Sequence, residues 1–303
     1  MFAARQHDNG VMLNEFSNQL ADAVAAAAPS IVQVLGRRRP GSGVVYDNGV
    51  VVTTMRSVGK EDGLKVRRHD GTVLDAELAG WDPATNIAVL KVAGLDAPAL
   101  KAAATPARVG HVALALARSW SNAITASAGL VSVIGGPLPT GRRRAIEQVI
   151  RTTAPMHDGF AGGAFVGVTG ELLGVATAGS IRGLGVIIPA AIAWTAAAGL
   201  LRQAGAKRGY LGIVPQPVRV PQAQRVVAGA DEALLVISVK DGSPADEAGL
   251  LVGDLLLSLD GQPLASADDL FDLLVGDRVG RTVPLRVLRG GVPTDVPVLI
   301  GER

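Results

Sequence analysis

Between Ile31 and Pro189 the chain is built from short apolar runs separated by compact turns, and this rhythm leaves few folds open to it. Val44-Val45-Tyr46, Asp47-Asn48-Gly49 and Val50-Val51-Val52-Thr53 spell a hairpin, because Asn-Gly accepts the positive φ angles of a tight primed turn. Leu64 to Arg68, His69-Asp70-Gly71 and Thr72 to Leu78 repeat the pattern. Ile87 to Val92, His111 to Ala117, Gly129 to Ile134 and Leu172 to Ala176 read as further buried strands. Strands so short and so evenly spaced predict a sandwich or barrel and not a parallel α/β sheet. The stretch from Gly94 to Thr105 interrupts them, so two similar barrels or sheets are expected side by side.

The flanks follow a different period. Leu13, Phe16, Leu20, Val24 and Ala28 lie near helical spacing with polar residues between them, which predicts an amphipathic helix over Val11 to Ala28, ended by Pro29. Ala190 to Ala204 reads as a second helix, and Gly205 to Gly209 as a polar boundary. Beyond it, Leu234 to Lys240 and Asp254 to Leu259 are strands, and Val283 to Leu288 forms a hairpin with Asp295 to Ile300. Ser243-Pro244 opens a short helix, with serine as N-cap and proline at the first helical position. Ser266 caps another that carries Leu270, Leu273 and Leu274, with Asp268 and Asp269 well placed in its first turn.

A length of 303 residues gives room for about two cores. A net charge of +2 is too small to argue for nucleic acid. Arg37-Arg38-Arg39, Arg67-Arg68 and Arg142-Arg143-Arg144 fall in or beside turns without interleaved aromatics, so they read as solvated loops. The absence of cysteine excludes disulfides and thiolate chemistry. Met1 to Gly10 shows no secretory pattern, and Pro189 to Leu201 is too short to span a bilayer, so a cytoplasmic protein without a transmembrane segment is expected.

The chemistry concentrates at Gly159-Phe160-Ala161-Gly162-Gly163-Ala164-Phe165, between strands expected at Glu147 to Thr153 and Ala164 to Val168. Glycines at this density let a backbone turn sharply and present its N–H groups, as in loops that hold a nucleophile. The position that would carry one is Ala161.

These segments, in this order, resemble the HtrA/Deg family, in which a trypsin-like protease domain precedes a PDZ domain. Gly41-Ser42-Gly43-Val44-Val45 is similar to the family's GSG strand entry, and Val51 to Val58 lies where the family has a TNAHVV-like stretch. Asp82-Pro83-Ala84-Thr85-Asn86-Ile87-Ala88-Val89-Leu90-Lys91 resembles its D-x-x-x-D-L-A-V-L-K segment. Gly159 to Phe165 corresponds to GNSGGPL, and Gly185 to Pro189 to the closing GFAIP. Tyr210-Leu211-Gly212-Ile213 looks like a PDZ carboxylate-binding loop, and Gly242 to Asp254 like the PDZ middle. The resemblance implies a mainly β fold with a trypsin-like double β-barrel at 30–204 and a PDZ domain at 205–303, and the helix read from the spacing makes 1–29 an N-terminal helical segment. By the same alignment Arg56 stands at the family's histidine position, Asn86 at its aspartate and Ala161 at its serine.

Acyl transfer by such a site needs a nucleophile, a base and a carboxylate to orient the base. Alanine has no attacking atom, arginine stays protonated near neutrality, and asparagine cannot stabilise an imidazolium. His157 and Asp158 as a relocated base or metal pair lack a third member, and His111 reads as a barrel residue with a local hydrogen bond. No catalytic residue, metal or cofactor is therefore expected. What remains is a residual oxyanion hole at the Gly159 and Ala161 N–H groups, with Arg56 either lending them charge or pairing with a nearby acid, and Phe160 partly filling the cleft. The PDZ-like unit keeps a peptide site: Tyr210, Leu211, Gly212 and Ile213 supply the loop and edge, and Leu270 and Leu274 line a pocket for the last side chain. The expectation is an inactive protein that binds peptides or protein C-termini as a scaffold, chaperone-like or regulatory subunit. The resemblance further implies a homotrimer or assembly with an active relative. The competing expectation is an active HtrA-like serine endopeptidase in protein quality control.

Overall fold

The computed structural model describes residues 2–302, apart from 37, 60–62, 119, 142–143, 204–208 and 275–277. Arg37, Arg142, Arg143 and the boundary from Gly205 to Arg208 thus lie outside the described residues. Chain contacts divide the protein into two compact units, residues 1–204 and 205–303.

The first helix, α1 (Phe2–Ala27), begins at Phe2 and not at Val11. Its last turns bury Ala23 and Ala27 beside Ile31, Val44 and Leu116, where small side chains let the helix approach the strands closely. Leu20 and Val24 pack partly against the same cluster, whereas Val11, Met12, Leu13 and Phe16 stay exposed. Only the C-terminal half of the apolar stripe is used within the chain.

Two closed six-stranded barrels follow. The first contains β1 (Ile31–Leu35), β2 (Gly41–Asp47), β3 (Val50–Thr54), β4 (Lys65–Arg67), β5 (Val73–Trp81) and β6 (Ile87–Val92), with the one-turn helix α2 (Met55–Val58) after β3. The Asn48-Gly49 turn joins β2 to β3 as expected, pairing Val44 with Val52. Val32, Val34, Val45, Val51, Val66 and Leu90 fill its interior. The second barrel is made by β7 (Val112–Arg118), β8 (Ile124–Gly135), β11 (Val149–Thr152), β12 (Ala164–Gly167), β13 (Leu172–Ile181) and β14 (Leu184–Pro189). Between β8 and β11 the chain adds a two-stranded sheet of β9 (Leu138–Gly141) and β10 (Arg144–Ile146), which the sequence did not announce. On β7 the strand period places Ala113, Ala115 and Ala117 in the core cluster that also holds Phe160 and Phe165, so three small side chains face the volume that the two rings fill. Helix α3 (Ala190–Gln203) closes the unit, with Ala193 and Ala197 buried against Ile87, Val89 and Val175.

Arg118, at the end of β7, is nearly fully buried. Its guanidinium donates to the carbonyls of Ile31 (2.6 Å), Asn122 (2.7 Å) and Ala28 (3.0 Å), tying the end of α1 to the second barrel. Burial pulls its pKa below the ordinary arginine value.

The second unit is a sheet in the order β16 (Ile213–Arg219), β17 (Glu232–Val239), β18 (Leu255–Leu259), β20 (Thr282–Arg289) and β21 (Val292–Leu299), with β19 (Gln262–Pro263) paired to β18. A short pair, β15 (Gly209–Tyr210) with β22 (Gly301–Glu302), brings the ends of the unit together. Helices α4 (Gln222–Ala228), α5 (Pro244–Glu247) and α6 (Ala267–Leu273) connect the strands. Ser243 caps α5 by accepting from the Asp246 N–H, and Ser266 and Asp269 form a reciprocal capping box on α6. Helix α4 was not anticipated, for its side chains make no buried stripe. Asp254 is buried and takes a two-pronged bond from Arg289, at 2.9 and 2.7 Å, plus the Leu251 N–H at 2.9 Å. Burial pushes this carboxyl up, but the Arg289 and Leu251 hydrogen bonds outweigh it and hold the pKa below the ordinary aspartate value.

Two outcomes follow for stability. Arg118→Ala strands three carbonyls and is expected to cost about 3 kcal/mol in urea unfolding of residues 1–204. Because the Asp254 pKa is depressed by folding, its contribution is present above the unfolded value of about 4 and vanishes as pH falls through the lower folded value. Asp254→Asn should therefore destabilise the second unit by about 2 kcal/mol at pH 7 and by much less near pH 2, measured by thermal unfolding.

Candidate functional site

The glycine-rich loop sits where the two barrels meet. Its residues Asp158 to Phe160 form a single 3-10 turn, followed by β12. Gly162 has a φ of +78°, and a Cβ there would strike the Ser42 carbonyl and the Thr53 hydroxyl, so only glycine fits. Hydroxyls of the first barrel hold the loop. Ser42 Oγ donates to the Gly159 carbonyl at 2.9 Å, and Ser57 Oγ to the Ala161 carbonyl at 2.8 Å. The Ser42 N–H adds a second bond to the Ala161 carbonyl at 2.9 Å. As the donor to Ala161, Ser57 is a clamp on the loop. Ser42 lay within a quoted motif, but no local pattern tells that its hydroxyl reaches a loop more than a hundred positions away.

The structure gathers the three positions singled out above. The Met55 N–H donates to the Asn86 carbonyl at 3.0 Å, placing the residue before Arg56 against Asn86. Asn86 itself has a φ of 62°, a conformation asparagine tolerates better than most residues. Arg56 Nη2 bonds Asp158 Oδ1 at 2.9 Å, an exposed ion pair within reach of solvent on both sides. Arg56 thus has a nearby acid as a partner, the simpler of its two expected roles.

The expected oxyanion hole is not open. Its geometry requires two N–H groups aimed at a substrate oxygen. Here the Gly159 N–H donates to His157 Nδ1 at 3.0 Å, and the Ala161 N–H to the Asp158 carbonyl at 3.1 Å. His157 is exposed at the start of the loop; its ring caps the turn and packs edge-on against Phe160, ring centres 4.9 Å apart. Phe160 also departs from expectation. It does not fill the cleft but turns into the second barrel, where it is 2% exposed beside Phe165, Ile187 and Val131. Burying that ring at the centre of the turn goes with the conformation that consumes both donors.

The second unit presents the other candidate. Gly212 has a φ of +85°, and a Cβ there would collide with Ser243. Among the described residues the Leu211 and Gly212 N–H groups donate no backbone hydrogen bond, while the Leu211 carbonyl accepts from Ala245 and the Gly212 carbonyl from Lys240. The loop is thus anchored through its carbonyls, and β16 follows as the edge of the sheet. Tyr210 pairs with Gly301 in the short closing sheet. Helix α6 lies beside β16. Leu270 and Leu274, expected to line a terminal-residue pocket, are 1% and 5% exposed within the sheet–helix core. Ordinary packing is what their burial supports. Phe271 on α6 and Val214 on β16 are about half exposed, and Ile213, Val218 and Leu273 are partly buried.

The geometry agrees with comparisons to known proteins. Residues 41–175 match the trypsin-like peptidase domain family and residues 209–300 the PDZ domain family. The serine endoprotease DegS of Escherichia coli is 31% identical over 306 residues, covering 92% of this chain and 85% of DegS. A probable periplasmic DegP-like serine endoprotease of Pseudomonas fluorescens is 31% identical over 268 residues, and the match spans only 56% of that protein. Among solved structures, the HtrA-type protease AlgW with a decapeptide superposes with a TM-score of 0.55 at 25% identity, covering 94% of this chain and 98% of that one. A serine endoprotease from Yersinia pestis gives a TM-score of 0.53 at 30% identity, with coverage of 94% and 97%. With its two barrels, its PDZ unit and relatives matched over most of their length, the chain belongs to the HtrA family.

Proposed function

We propose that this chain is a proteolytically inactive HtrA-family protein that binds peptide or protein C-termini through its PDZ groove. Such a protein serves as a scaffold, chaperone-like module or regulatory subunit, alone as an oligomer or together with an active relative. The observation that carries the reading is the state of the loop: Ala161 offers no nucleophile, and the N–H groups of Gly159 and Ala161 are both consumed by His157 and Asp158. The Arg56 position adds a group that cannot accept a proton near neutrality. The relatives named serine endoproteases favour the second reading, an active endopeptidase. In the PDZ unit, the Leu211 and Gly212 N–H groups, which give no backbone hydrogen bond among the described residues, and the edge position of β16 support capture of a terminal carboxylate with strand addition. No described helix is long and apolar enough to cross a membrane. The cytoplasmic setting expected from the sequence stands against a relative named periplasmic, and cell fractionation of the full chain decides between them.

The purified protein should show neither casein cleavage nor labelling by a fluorophosphonate; either signal, surviving controls for contaminating protease, overturns the inactive reading. Ala161→Ser, alone or with Arg56→His and Asn86→Asp, should remain unlabelled, because the loop donors stay engaged. Phe160→Ala should lower the stability of residues 1–204 by about 3 to 5 kcal/mol, as for a ring removed from a core, whereas a ring in the cleft would cost under about 1 kcal/mol. Gly212→Asp should abolish binding of free-acid peptides measured by fluorescence polarisation, with the amidated peptides binding weakly to both proteins.

A further inference from the structure

Proline has no N–H, so it fits a strand only where the neighbouring strand does not need that donor. The edge strand β16 contains two, Pro215 and Pro217, set opposite Val236 and Leu234 of β17. Just before the strand the Lys240 N–H donates to the Gly212 carbonyl at 2.8 Å, and just after it the Val220 N–H donates to the Asp231 carbonyl at 2.9 Å. Backbone groups in an antiparallel ladder alternate between the two sides of a strand. Gly212, Val214, Gln216, Val218 and Val220 therefore face β17, and Ile213, Pro215, Pro217 and Arg219 face the open edge. The one irregularity in this pairing skips Ile237 on β17 and leaves the alternation along β16 intact. Both prolines thus spare the ladder to β17 and delete donors only from the edge that an added strand would use.

Building on the peptide-binding reading, we infer that the groove grips a C-terminus by its carboxylate and last one or two residues, and that strand addition stops there. A peptide laid on β16 can give its N–H groups to the carbonyls of Ile213, Pro215 and Pro217. Its own carbonyls opposite Pro215 and Pro217 meet a ring carbon in place of a donor, so each would lose water for nothing. Upstream residues consequently stay solvated and their sequence is hardly read. The ligand class is a short, free C-terminal end with little demand on what precedes it, in contrast to an extended motif held along a full strand.

The test uses the full chain and fluorescent free-acid tripeptides ending in Val, Leu, Ile or Phe. The best-bound tripeptide is then extended upstream by seven alanines, which adds backbone and almost no side chain. For the wild type, extension should change Kd by less than about twofold; for Pro215→Ala/Pro217→Ala it should tighten Kd by about fivefold, the one hydrogen bond restored at position 217 at the usual net value, since the carbonyl opposite position 215 already belongs to the tripeptide. A wild type that gains fivefold from the same extension overturns the inference, as does a folded variant that gains nothing. The wild-type length series stands even if the double variant does not fold. If no tripeptide or decapeptide binds either protein, the peptide-groove reading itself falls, which separates that failure from this one.

Discussion

The carbonyl of Ala161 is the point on which the first unit turns. It receives the Ser42 N–H and the Ser57 hydroxyl, while the neighbouring Gly159 carbonyl receives the Ser42 hydroxyl. Ser42 lies on β2 and Ser57 on α2, so both elements of the first barrel hold one loop of the second. Buried carbonyls must find donors, and here a single loop satisfies its acceptors across the barrel junction. Gly41 and Gly162 make the approach possible, because a side chain at either would occupy the space of Ser57 or of Ser42 and Thr53.

The two faces of that loop have gone separate ways. Its carbonyl side keeps the contacts that hold two barrels together, and its N–H side has been turned inward. The alanines of β7 leave volume that Phe160 and Phe165 fill, and His157 supplies the acceptor that the Gly159 N–H needs. Each of these is a sound packing or hydrogen-bonding choice on its own terms. Together they favour stability over an available anion site, a trade-off known between strained active sites and well-packed ones.

Much of this was legible before any coordinates. The Asn48-Gly49 hairpin, the caps at Ser243 and Ser266 and the interruption between the two barrels each depend on local chemistry, and the structure has all of them. The family resemblance drew the separate segments into one fold. What could not be read were interactions between distant positions. Nothing near Phe160 tells that alanines over forty residues earlier leave room for its ring, and so the ring was assigned to the cleft. Nothing near Leu270 and Leu274 separates a pocket lining from a core, since both demand the same apolar residues at helical spacing. Helix α4 and the small sheet of β9 and β10 escaped because neither carries the periodic burial by which elements are recognised.

Phe160 also ties the loop to the slowest motions of the domain. A loop that works by switching must open locally, at a small fraction of the free energy that unfolds its domain. With its central ring among Val131, Ile150, Phe165 and Ile187, this one can let go of its hydrogen bonds only when the second barrel loosens as well. The amides of Gly159 and Ala161 should then exchange with solvent alongside those of the barrel core. The ring makes the loop a rivet of the second barrel.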